Sequence, residues 1–113
     1  ILLHVWVDSP EAIAKFAEAA QADPANMEAR LHLGLGHLFQ GSHEEAEDNL
    51  VEVARAVPVW IPTIMLQLGH LMEFGYADRA MSLAEKIRVA VDDAGHVAMA
   101  QDIQRWIDSA TTR

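Results

Sequence analysis

The chain contains no cysteine and few basic residues, and each shortage excludes a kind of chemistry. Without cysteine there is no disulfide, no thiolate zinc ligand and no thiol nucleophile. Eight Lys and Arg residues stand against 17 Asp and Glu residues, which leaves a formal net charge of −9. Phosphate backbones and anionic membrane surfaces both attract clustered Lys and Arg. We therefore expect neither a nucleic acid nor a membrane surface as a partner.

Long apolar runs are also missing. The most apolar stretch, 56–72, is interrupted by Pro58, Pro62, Gln67 and His70. It is shorter than the roughly 20 apolar residues that a membrane-spanning helix needs, so we expect no membrane insertion. With 113 residues and 51% apolar side chains, the chain has the size and composition of a single globular domain.

Helical periodicity dominates what the sequence does contain. Apolar residues recur three and four positions apart along most of the chain, which is typical of amphipathic helices. Ser9 and Ser42 stand where helix N-caps are expected, and Gly41 and Gly75 stand where helices end. These signals predict an all-α fold with helices near 10–22, 25–40, 43–56, 60–74, 77–91 and 93–109.

Several landmark residues recur at a spacing of 34. The pairs are Pro24 and Pro58, Gly41 and Gly75, Ala12 and Ala46, Ala46 and Ala80, and Phe16 and Leu50. A fixed period of this length, with two helices in each unit, is typical of helical repeat proteins. The middle unit carries the fullest pattern, in Leu33-Gly34, Gly41, Ala46, Leu50 and Pro58. In this pattern the chain resembles the tetratricopeptide repeat (TPR) family.

The resemblance implies an array of antiparallel helix pairs, a TPR-like α-solenoid within one domain. It comprises a partial unit 1–24, full units 25–58 and 59–92, and a C-terminal capping helix 93–110, whose Trp106 is expected in the core. Small residues such as Gly34 would let helix axes approach closely. In the last unit Gly75 and Ala80 match, whereas Leu68-Gly69 comes one residue late.

A partner-binding groove follows from the same resemblance, because TPR proteins bind ligands on the concave surface formed by the first helix of each unit. The transferred positions are Glu28, Leu31, His32, Leu35, Phe39, Met65, Met72 and Glu73. They lack the Lys, Arg and Asn with which family members clamp acidic peptide tails. An apolar groove with adaptable methionines suits an amphipathic helix or apolar peptide. Burial between helices is the competing interpretation, favoured for Leu31 and Leu35.

The negative charge is concentrated in the first half of the chain. Residues 1–52 contain 10 of the 17 acidic residues but only two basic ones, Lys15 and Arg30. Glu44, Asp48 and Glu52 follow at four-residue intervals and predict an acidic stripe along one helix face. A solvated face that keeps the domain soluble is the simpler interpretation. The functional interpretation is an acidic surface that attracts a basic protein partner.

The first seven residues suggest an alternative function. Residues 1–7 are mostly apolar, and the chain begins with Ile1 rather than Met. The 34-residue register places Ile1 inside a helix, so we expect the chain to be a processed protein or a piece of a longer one. Apolar segments of this kind favour contacts between copies. The alternative to a partner-binding module is therefore a structural domain that self-associates into a homo-oligomer through residues 1–7.

No motif predicts catalysis, a metal ion or a cofactor. The six histidines include no His-Glu-x-x-His run and no pair of histidines four residues apart. No Gly-x-Ser-x-Gly sequence or phosphate-binding glycine loop occurs. We therefore predict a non-catalytic interaction module without metal or cofactor.

Overall fold

The computed structural model describes residues 9–111, and this part of the chain is helical without any strand. The described elements are α1 (Pro10–Ala22), α2 (Met27–Gln40), α3 (His43–Ala56), a 3-10 turn (Pro58–Trp60), α4 (Ile61–Glu73), α5 (Ala77–Asp93) and α6 (Val97–Thr111). The predicted all-α class is confirmed, and the first five helices begin and end within two residues of the predicted positions.

Local capping explains most of these boundaries. The side chains of Ser9 and Asn26 accept hydrogen bonds from backbone N–H groups in the first turns of α1 and α2. Gly41 and Gly75 have φ values of 87° and 95°. This left-handed conformation costs glycine little, so both residues end helices. Ser42 precedes α3 as predicted, but its hydroxyl makes no capping hydrogen bond.

The turn between α5 and α6 differs from the prediction. Helix α5 continues to Asp93, and α6 begins at Val97 instead of near residue 93. Gly95 has φ 92°, and the N–H of the next residue, His96, donates to the carbonyl of Val91. This bond is typical of a glycine-terminated helix. The predicted boundary was too early because the helical pattern shows no break before Gly95.

Helix α5 lies against α3, α4 and α6, while α2 packs between α1 and α3. Ala46 and Ala80, 34 residues apart, are both fully buried. They share one hydrophobic core with the large buried side chains Leu35, Leu38, Leu50, Val53, Ile64, Leu68, Leu71, Leu83, Ile87, Val91 and Ile103. Most of this core therefore lies where α2 to α6 meet.

Two glycines that the sequence placed in similar positions differ in packing. A Cβ atom on Gly34 would lie 2.7 Å from Cγ of Leu50, so α2 and α3 cross at a point with room for hydrogen only. A Cβ atom on Gly69 would have no neighbouring heavy atom within 4 Å. The expected close approach is present at Gly34, but Gly69 is not its packing equivalent.

Candidate partner-binding surface

The predicted groove residues do not form one continuous surface. Leu31 and Leu35 belong to the hydrophobic core, and Leu35 is 0% exposed. Helix α2 is covered by α1 on one side and α3 on another. Because these helices cover its apolar positions, the expectation that Leu31 and Leu35 line a groove is corrected. The competing interpretation, burial between helices, holds for both.

Three further predicted residues of α2 lie in different surroundings. Glu28 is exposed near the start of the helix. The ring of His32 stacks on that of Phe16 in α1, with centroids 4.2 Å apart and planes 10° apart. Phe39 meets Phe74 edge to face, with centroids 6.3 Å apart. His32 therefore contributes to the contact between α1 and α2, and Phe39 to an aromatic contact at the other end of α2.

The remaining predicted residues, on α4, line a groove shared with α6. One hollow of about 420 Å³ is lined by Gly69, Met72, Glu73, Trp106, Ser109 and Ala110. A second hollow of about 200 Å³ is lined by Ile61, Pro62, Met65, Met99, Asp102, Ile103 and Trp106. Trp106 borders both, and we call the two hollows together the α4–α6 groove. The structure thus brings Met65, Met72 and Glu73 together, although Met65 itself is mostly buried.

Trp106 and Gly69 shape this groove, and the sequence placed Trp106 in the core without assigning it to a binding site. Trp106 packs partly against the core, as predicted, but also forms a wall of both hollows. The open space at the Cβ position of Gly69 leaves room beside Met72. An apolar stripe identifies the buried face of α6, but it does not show which edge of that face adjoins another helix.

The predicted acidic surface lies elsewhere, on α3. Glu44 and Asp48 are exposed. Glu52 is half-exposed, and its carboxylate lies 3.0 Å from Nη1 of Arg55. Asp48 and Glu52 line a groove of about 490 Å³ between α3 and α5, which we call the α3–α5 groove. Its further lining residues are Glu47, Val51, Arg55, Glu85, Lys86, Val89, Ala90 and Asp93.

A buried carboxylate connects the two helices at this groove. Glu47 is only 8% exposed, yet its Oε1 accepts a hydrogen bond from Nζ of Lys86 on α5. Its Oε2 lies 2.8 Å from Nε2 of His43, one turn earlier on α3. A buried carboxylate is costly unless it is paired. The contact with Lys86 therefore links α3 to α5. The sequence placed His43 and Glu47 four residues apart but did not predict Lys86 as a partner.

One carboxyl in the same region has a clearly shifted pKa. The guanidinium of Arg88 donates to Glu85 one turn earlier on α5, and this hydrogen bond lowers the pKa of Glu85 below its ordinary value. Glu85 is exposed and Arg88 partly so, which is typical of a surface ion pair and not of a general acid.

The described residues offer neither a cluster of metal ligands nor a membrane span. Between Ser9 and Thr111, no three His, Cys, Asp or Glu side chains come close enough together to hold a metal ion. None of the helices in the same range combines the length and the apolar character needed to cross a bilayer.

Comparison with known proteins identifies no relative. No family model matches the chain, and neither a curated protein nor a solved structure matches it. The fold is that of a small all-α protein with a groove between α4 and α6. Membership of the TPR family stays a prediction that depends on the residues quoted above.

Proposed function

We propose that this chain is a non-catalytic protein–protein interaction module of the TPR type. Its ligand is an amphipathic helix or apolar peptide of a partner protein, bound in the α4–α6 groove. The main support is Trp106, which stands between two hollows bordered by methionines of α4 and α6. Tryptophan is enriched among residues that dominate binding energy, and methionine adapts to partners of different shape.

Support for the repeat comes from equivalent positions in successive helix pairs. Helices α2 and α4 begin at Met27 and Ile61, which are 34 residues apart (61 − 27). The left-handed glycines at 41 and 75 have the same separation. In this interpretation α4 and α6 are the first helices of successive units. The groove between them then corresponds to the concave ligand surface of the family.

The size and rim of the groove suggest how a ligand would bind. Hollows of about 420 and 200 Å³ suit a few side chains of a peptide rather than a whole domain face. The smaller hollow is mainly apolar, whereas the larger one also includes Glu73 and Ser109. Exposed Leu66 lies seven residues before Glu73 and so on the same side of α4, where it extends the apolar surface. Exposed Glu73 adds a carboxylate at the edge of the groove, which favours a basic residue beside the apolar anchors of the ligand. Asp102, at the other hollow, already pairs with Arg105.

A peptide selection followed by NMR mapping tests this proposal. A library of helical peptides with varied Leu, Met and Trp positions is selected for binding to the full chain. The backbone amide shifts of the chain are then followed during titration with the tightest peptide. We expect the largest changes in residues 61–73 and 97–110. Changes confined to α1, α3 or α5 would contradict the assignment of the groove.

The alternative function, a domain that assembles through residues 1–7, concerns a segment outside the described residues. Its support is the apolar composition of that segment. Sedimentation velocity on the full chain and on a variant that lacks residues 1–8 separates the two functions. A dimer that dissociates on deletion favours assembly, and a monomer in both cases contradicts it.

A further inference from the structure

The α3–α5 groove differs in chemistry from the α4–α6 groove. Its apolar lining consists of Val51, Val89 and Ala90, and Val89 is 44% exposed despite its apolar side chain. Carboxylates flank this lining on both helices, with Asp48 on α3 and Asp93 on α5. The groove therefore combines an apolar lining with carboxylates from both helices.

The charges of the lining residues do not balance. Five are acidic (Glu47, Asp48, Glu52, Glu85 and Asp93) and two are basic (Arg55 and Lys86), so the sum is −3. Both basic residues already have acidic partners, because Arg55 pairs with Glu52 and Lys86 with Glu47. Within residues 9–111 no ion pair uses the carboxylate of Asp48 or Asp93. These two carboxylates therefore remain available to cations from outside the domain.

We propose that the α3–α5 groove binds a basic amphipathic segment of a partner protein. An apolar side chain of that segment packs on Val51 and Val89, and flanking Lys or Arg side chains face Asp48 and Asp93. Charge complementarity identifies this occupant, since the same carboxylates repel nucleic acid and acidic peptides. The site is separate from the α4–α6 groove and does not depend on the function proposed above.

The pairing of Glu47 links the two walls of the groove. Lys86 lies across the groove from α3, and its ammonium reaches the carboxylate of Glu47. Because α3 also packs directly against α5, both walls of the groove are in place before a ligand arrives. A preformed site loses less conformational entropy on binding than one that must be ordered by its ligand.

The test uses two synthetic helical peptides of equal length. The first has a leucine stripe flanked by lysines on both sides, and the second has glutamate at every lysine position. Their affinities for the full chain are measured by fluorescence anisotropy. We expect the lysine peptide to bind and the glutamate peptide to bind at least about tenfold more weakly. Equal affinities would overturn the proposal.

Matched variants separate the groove from the overall charge of the chain. Asp48→Asn with Asp93→Asn removes two charges at the groove, and Glu11→Gln with Glu18→Gln removes two from the exposed face of α1. We expect the groove variant to bind the lysine peptide at least about fivefold more weakly. The affinity of the α1 variant for the same peptide should change by less than twofold. Equal losses would indicate non-specific attraction and overturn the site. Val89→Lys is a second test, because it places a positive charge in the apolar lining of the groove. Unchanged affinity of a folded Val89→Lys variant for the lysine peptide would also overturn the proposal.

Discussion

Gly34 and Leu50 meet where α2 crosses α3, and a Cβ atom on Gly34 would lie 2.7 Å from Cγ of Leu50. Leu50 is fully buried, so it has little room to move away. A glycine inside a helix normally costs stability relative to alanine. At this crossing the stability cost of glycine is offset by the close packing of α2 on α3, which a larger residue at position 34 would prevent. The same two positions belong to the pattern on which the repeat interpretation rests.

Alanine at position 34 is therefore expected to destabilise the fold. Overpacking a core costs about 1–3 kcal/mol, whereas alanine gains about 1 kcal/mol in helix propensity. We expect Gly34→Ala to lower the free energy of unfolding by roughly 1 kcal/mol. Gly69→Ala is the matched control, since nothing lies within 4 Å of its Cβ position, and it should stabilise by up to about 1 kcal/mol. Urea unfolding of both variants measures the difference, and equal shifts would contradict the packing argument.

Removal of the Lys86 ammonium is expected to leave a buried carboxylate poorly compensated. Lys86→Ala should lower the free energy of unfolding by roughly 1–2 kcal/mol, because an unsatisfied buried acceptor is costly even when its former donor was half exposed. Arg105→Ala breaks an exposed pair with Asp102 and should change stability little. Adding Glu47→Gln to Lys86→Ala should recover part of the loss. A double variant less stable than Lys86→Ala alone would contradict the explanation.

The pKa of Glu85 gives a prediction about pH. Because the folded-state pKa is below the ordinary value, its pair with Arg88 stabilises the fold above the ordinary pKa of glutamate. That contribution is lost as the pH falls through the lowered value. Arg88→Gln should raise the pKa of Glu85 in a carboxyl carbon NMR titration. Arg105→Gln serves as control and should leave the Glu85 titration unchanged. An unchanged titration in Arg88→Gln would show that another group lowers the pKa.

The helices could be predicted from local sequence signals, whereas the residues of the partner-binding groove could not. Apolar spacing and the glycines at 41 and 75 placed the ends of most helices, because capping acts within a few residues. Burial of Leu35 depends on which helices cover α2, and spacing within α2 does not contain that information. The same limit applies to Glu47, whose partner Lys86 is 39 residues away. The sequence therefore predicted faces of helices, but not which faces meet.

Binding of the selected peptide to two charge-matched variants tests the central claim most directly. Met72→Glu places a carboxylate in the α4–α6 groove. Val97 is exposed at the start of α6, two and a half turns before Trp106, so Val97→Glu places its carboxylate on the opposite side of α6. With folding of both variants checked by circular dichroism, we expect Met72→Glu to weaken peptide affinity at least about tenfold and Val97→Glu to leave it within twofold. Unchanged affinity in a folded Met72→Glu variant would contradict the α4–α6 groove as the binding site.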